Sequence, residues 1–346
     1  MSRARIGRTI SITLLAGTLL AASGCLASDS EDATAAEGYE AITEAAKNEG
    51  TVTWYTSIPE AIANEAAEEF RKEHGIEVEA VVLTSGLLAT RFASEMSSGG
   101  SPADVITVAD PLFFQDAVAK SWIIKLSESD IPALATWPKD AFREDSYALV
   151  NIQPIGISIH SEKIDKDKVA ASWEILLDPA YKGQIYLVNP TNVPNWLSHM
   201  KLMRDTYGPE FLKKLADQKP KVVDSAVPGI QQLAAGSGVM VYPGLLSVTN
   251  PLSSKGAPVT TVFPSPTTGV EQYAAVSNKA PHPNAARLFL NFLLTEQAQK
   301  ILNKGAGSSP LGALEGTIPL PDQYVTPDVK AAVEIKDQIL SELGLK

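Results

Sequence analysis

The chain has 346 residues, of which 45% are hydrophobic, with a single cysteine and a formal net charge of −11. That length supports two domains with separate cores. An acidic balance without basic clusters excludes a nucleic-acid surface, and a lone cysteine excludes an internal disulfide.

The chain starts like an export signal. Arg3, Arg5 and Arg8 form a basic start, Ile10 to Leu20 an apolar stretch too short to span a bilayer comfortably, and Ala21 to Gly24 a small-residue segment. Cys25 follows in "LAASGC", which resembles a bacterial lipobox, with Ala22 where leucine is usual. The resemblance implies cleavage before Cys25 and lipidation of that residue. Losing residues 1–24 removes three arginines, which takes the net charge from −11 to −14. "LASDSEDATAAEG" is small and acidic, and predicts a disordered tether over residues 25–44.

From residue 45 onward, β-branched runs alternate with helix-like ones, the pattern of an α/β protein with largely parallel sheets. "TVTWYTS" (51–57) is the first strand, and a helix with Ile62, Ala66 and Phe70 on one face stops near Gly75. "IEVEAVVL" is the second strand, leading through "TSG" into a helix over Leu87 to Met96; "DVITVAD" is the third. "LVNIQPIGISIH" holds Pro154 inside a strand-like run, which suits a crossing between lobes. A second set follows: "GQIYLVNP", helices over Asn195 to Tyr207 and Glu210 to Asp217, and "GVMVYPG". "APVTTVFPSPTTGVEQYAAVSN" is another interrupted strand, consistent with a return crossing near residue 267. Helices over Asn284 to Asn303 and Asp328 to Leu343 end the chain.

Motifs of catalysis are missing. The four histidines are scattered, and there is no nucleophile elbow, phosphate loop or dinucleotide fingerprint. No cofactor and no resident metal is expected. A carboxylate pair such as Asp110 and Glu271 leaves an exported hydrolase as the reading from another class.

"TVTWYTS", "TSGLLATRF", "PADVITVADP", "SWEILLDPAYKGQI" and "APHPNAARLFLNFLLTEQAQKIL", in this order and spacing, resemble the extracellular solute-binding proteins of ABC importers. The likeness is to the two-lobed class that includes the ferric-ion-binding proteins. It implies a periplasmic-binding-protein-like type II fold, two α/β lobes joined by crossing strands, with the solute held between them. Lobe 1 would comprise residues 45–152 and 268–346, and lobe 2 residues 153–267. The implied partners are a small solute, the ABC permease subunits and the membrane through Cys25; the protein is expected to be an exported, non-catalytic monomer.

Ligands of open α/β sheets sit at the carboxyl ends of strands. The candidates are therefore Thr56, Ser57, Ser85, Gly86 and Asp110 from lobe 1, and Asn192, Ser225 and Tyr242 from lobe 2. Each has a structural alternative: Ser57, Ser85 and Asp110 as helix caps, Asn192 as the holder of its own turn. Trp54, Tyr55 and Trp196 are candidate walls for an organic ligand, and Arg91 a weaker anion clamp. Ferric binders of this class present adjacent tyrosines, hard donors for a hard cation; here "VYPGLLS" has one. The favoured solute is a small organic anion such as a phosphonate, phosphate ester or carboxylate, with ferric iron the alternative and a cation a third reading.

Overall fold

The computed structural model describes residues 35–100 and 103–346. The signal segment, Cys25 and residues 26–34 of the expected tether lie outside these residues. The tether ends earlier than expected. Residues Tyr39–Glu49 form a helix whose Ile42 and Ala46 are fully buried, and the Tyr39 N–H donates to the Ser129 carbonyl at 3.0 Å. The acidic stretch that suggests disorder ends at Gly38, and beyond it Ile42 and Ala46, an apolar pair at i, i+4, dock one helical face.

Among the described residues eleven strands follow: β1 Thr51–Thr56, β2 Glu77–Val82, β3 Val105–Val108, β4 Phe142–Arg143, β5 Tyr147–Pro154, β6 Gly156–His160, β7 Ile185–Val188, β8 Lys221–Val223, β9 Met240–Gly244, β10 Val259–Val262 and β11 Gly269–Val276. They form two sheets, ordered β2-β1-β3-β11-β5-β4 and β10-β6-β9-β7-β8. In the first, β2, β1 and β3 are parallel, and β11 inserts antiparallel between β3 and β5. In the second, β9, β7 and β8 are parallel, with β6 and β10 antiparallel at the other edge. The chain is thus a two-lobed α/β protein with two mixed sheets.

Each sheet carries its own core. The first gathers Trp54, Phe70, Phe92, Phe114 and Phe289; Trp54 meets Phe289 edge-on with ring centroids 5.1 Å apart. Such pairs add about 0.5–1.5 kcal/mol beyond area burial. The second gathers Trp173, Leu187, Met200, Phe211 and Tyr242.

The cores are joined three times. Ile155 alone separates β5 from β6, and residues 263–268 carry the chain back from β10 to β11. The third passage corrects the expected lobe boundary at the C-terminus. After Tyr324, which packs on the first core, helices Val329–Glu334 and Lys336–Glu342 bury Ala332 and Ile339 in the second core, together with Leu343. Residues 268–346 therefore do not all belong with the first lobe. The third passage lies beside the second, where the Val325 N–H donates to the Thr267 carbonyl at 2.7 Å.

Both terminal helical runs are also broken in two. Thr295 caps a new helix, Glu296–Leu302, by accepting from the Ala298 N–H, and Ile335 interrupts the last run. A continuous apolar face read along the sequence does not reveal a cap that restarts the helix within it.

Candidate functional site

Between the two sheets lies a cleft of about 600 Å3. It is built from six loops at the carboxyl ends of β1, β2, β3, β7, β8 and β9, three from each lobe, with β5 and β11 forming its floor. Five of these loops open a helix at the cleft, so the positive ends of Ser85–Ser97, Pro111–Ala119, Pro194–Tyr207, Ala226–Ala234 and Leu246–Ser253 converge there.

Six of the eight expected site residues line this cleft: Ser57, Ser85, Gly86, Asp110, Asn192 and Ser225. Their local roles are specific. Thr84, not Ser85, occupies the cap position of its helix, and neither it nor Ser85 closes a side-chain cap bond there. The Ser85 hydroxyl instead accepts from the Ala109 N–H at 3.0 Å and donates to Ser57 Oγ at 2.9 Å, tying the β1, β2 and β3 loops together. Asp110 is a true cap: Oδ1 accepts from the Leu112 and Phe113 N–H groups, both at 3.1 Å. Asn192 Nδ2 donates to the Asp224 carbonyl at 2.6 Å, joining the β7 and β8 loops. Ser225 stands at the cap position of Ala226–Ala234 without a side-chain cap bond.

Two expected residues are elsewhere. Thr56 is fully buried, and its Oγ1 accepts from the Ile58 N–H at 3.1 Å. Tyr242 lies in the second core between Trp173 and His199, and its hydroxyl has no partner among the described residues. Thr56 is the last residue of β1, and Tyr242 lies inside β9, three residues before the cleft residue Leu245. Burial raises the Tyr242 phenol well above its ordinary value. Of the aromatic candidates, only Trp196 lines the cleft. Trp54 Nε1 donates to Thr107 Oγ1 at 2.9 Å inside the first core. Tyr55 donates to Glu95, with Arg91 over its ring at 4.7 Å, so Arg91 is no anion clamp.

The Asp110–Glu271 pair does not exist. Glu271 is buried away from the cleft, where it accepts from Tyr273 at 2.5 Å and Tyr324 at 2.8 Å. Burial raises its carboxyl above the usual range, partly offset by these two hydrogen bonds.

Gln153 and Gln272, outside the expected set, also line the cleft, rising from β5 and β11. Gln272 Nε2 donates to Ser57 Oγ at 3.0 Å, and Gln153 Oε1 accepts from Ser247 at 2.7 Å. For Gln153 the available signal is an amide between apolar neighbours on a strand, as in "NIQPI"; Gln272, beside Glu271, has none. A second hollow, of about 520 Å3, runs along the edge strand β10 and residues 318–322; it draws on none of the strand-end loops. Among the described residues, no three His, Cys, Asp or Glu side chains converge as a metal site, and no helix is long and apolar enough to cross a membrane.

A family model for bacterial extracellular solute-binding proteins matches residues 51–305. The fold is similar to an ABC-transporter substrate-binding protein from Agrobacterium tumefaciens, with a TM-score of 0.70 at 18% identity, covering 85% of this chain and 94% of that one. Iron-bound HitA from Pseudomonas aeruginosa is similar with a TM-score of 0.65 at 18% identity, covering 84% and 99%. AfuA from Actinobacillus pleuropneumoniae, with exogenous fructose-6-phosphate bound, is similar with a TM-score of 0.65 at 18% identity, covering 86% and 99%. At these identities the likeness shows a shared type II fold.

Proposed function

Because the chain belongs to the bacterial extracellular solute-binding proteins of ABC importers, we propose that its cargo is a small organic molecule bearing an oxyanion, of the phosphonate, phosphate-ester or carboxylate kind. One observation carries this reading: two helix starts from opposite lobes, Thr84–Gly86 and Ser225–Val227, border the same cleft. The first N–H groups of a helix have no acceptor within it, and the dipole adds partial positive charge. On the first lobe, the earliest amide with a carbonyl partner is that of Leu88, which donates to Thr84 at 3.0 Å. Ser85 and Gly86 therefore present their N–H groups to an incoming oxygen, with the Ser57 hydroxyl beside them. The fructose-6-phosphate held by AfuA supports this chemistry, and the iron held by HitA supports the alternative.

The lining weighs against iron. No tyrosine is among the described lining residues, Tyr242 being in the second core, and the cleft offers hydroxyls, amides and two separate carboxylates. Lipidation of Cys25 would hold the protein at the outer face of the membrane, next to the permease it serves.

A thermal-shift screen over ferric ion, phosphonates, sugar phosphates, carboxylates, thiamine and polyamines tests the reading. An oxyanionic solute at 100 times its Kd should add about 2.7 kcal/mol of stability. Stabilisation by ferric ion alone would overturn it. Ser85→Asp, which sets a negative charge at the helix start, should abolish binding of the oxyanion; unchanged affinity would refute the site.

A further inference from the structure

Resting on that oxyanion reading, we propose that the solute is a zwitterion, with an ammonium group within a few bonds of its oxyanion. The cleft's own charges point there. Its ionisable lining side chains are the carboxylates Asp110 and Asp224; no lysine, arginine or histidine is among the lining residues described. A plain anion would face two carboxylates with only helix-end partial charges to hold it. A solute that brings its own cation removes that conflict.

An unmet hydrogen-bond acceptor in the cleft points the same way. Gln272 is 3% exposed and lines the cleft, yet its Oε1 has no partner among the described residues. Buried acceptors left unmet are costly, so this oxygen calls for a donor on the solute. Asp110 spends Oδ1 on its helix start, which leaves Oδ2 as a second acceptor.

The donors stand next to these acceptors because the hydroxyl chain has a direction. Ala109 donates to Ser85, Ser85 donates to Ser57, and Gln272 Nε2 also donates to Ser57. Ser57 Oγ thus accepts twice, and its own hydrogen, with only the Thr107 carbonyl at 3.4 Å, is the one left for a solute oxygen. Gln272 holds one end of this chain and Asp110 follows Ala109 at the other, so donor and acceptor sets lie side by side. An ammonium and an oxyanion a few bonds apart fit them together.

Calorimetric titration of the intact protein with phosphoethanolamine, ethyl phosphate and ethanolamine, and with β-alanine, propionate and propylamine, tests this. Within at least one set the zwitterion should bind about tenfold tighter or more than either singly charged analogue, the effect of one charge-assisted hydrogen bond. Ethyl phosphate and propionate binding as tightly as their zwitterions would overturn the proposal and leave the oxyanion reading standing. Ethanolamine or propylamine matching its zwitterion would overturn both. Binding by none of the six would overturn the proposal, with the wider screen still deciding the oxyanion reading. Asp110→Asn, which keeps a capping oxygen, and Asp224→Asn should each narrow the preference; a preference unchanged in both would refute the assignment.

Discussion

His199 is fully buried with neither ring nitrogen partnered among the described residues, wedged against Trp173 at a centroid distance of 4.7 Å. Burial pushes its pKa from 6.5 down to about 3, so it is neutral throughout the working range. The folded state binds fewer protons than the unfolded one, so stability is lost as pH falls from 6.5 towards 3, at about 1.4 kcal/mol per pH unit. Chemical denaturation of His199→Leu at a series of pH values should show that slope removed. Glu271 acts with the opposite sign. Its carboxyl is raised above the ordinary 4.5, so the unfolded chain ionises first and stability falls as pH rises from 4.5 through the raised value. The Glu271→Gln variant should lose that descending limb in the same measurement. At this scale the sequence is informative where a polar residue follows an apolar strand within three positions, as with Ser57, Ser85 and Asp110. It misled at Thr56, where a shift of one residue along the strand turns a side chain from the cleft to the core, and at Tyr242, which lies inside β9 three residues before Leu245. Gln272 was invisible because its importance depends on β11 lying beside β1's loop, a pairing 215 residues long in sequence.

Among the elements, β6 begins at a crossing and pairs on both sides. Gly156 faces Gly244 across the β6–β9 ladder. A Cβ at Gly244 would stand within hard contact of the Ser158 nitrogen, and one at Gly156 within hard contact of the Val262 carbonyl. Neither neighbour can yield without breaking the ladder. Gly244→Ala should cost about 1–3 kcal/mol in equilibrium unfolding, as overpacking does, with Gly86→Ala as a control, since a Cβ there meets nothing within 4 Å. The alternation of β and α elements was readable because each strand carries its own run of β-branched residues. The split of the last helices was not, because Thr295 and Ile335 interrupt hydrogen bonding while leaving the apolar periodicity intact.

For the whole molecule, the third passage makes the C-terminal helices part of the second lobe's stability. Ile339→Ala should cost about 2–5 kcal/mol, and the loss should appear as weaker protection of β7 and β9 in hydrogen exchange. Undiminished protection there would show that the last helices are mere decoration. Cys25→Ala should move the protein from the membrane fraction to the soluble one and abolish labelling by a fatty-acid probe. The two-lobed plan was legible from Pro154 and Pro264, prolines inside strand-like runs. The destination of the C-terminus was not, since an amphipathic helix does not state which core it covers.

The place of β11 in the first sheet also sets an order of assembly as the chain emerges. β3 and β5 make no ladder with one another; each pairs with Gly269–Val276, which is synthesised more than 110 residues after β5 ends. The five strands of the second sheet, by contrast, lie within the single stretch Gly156–Val262. The later half of the protein therefore has a complete sheet while the earlier half still waits with a gap at its middle. An exported chain built this way depends on whatever holds residues 45–154 apart from their neighbours until the eleventh strand arrives.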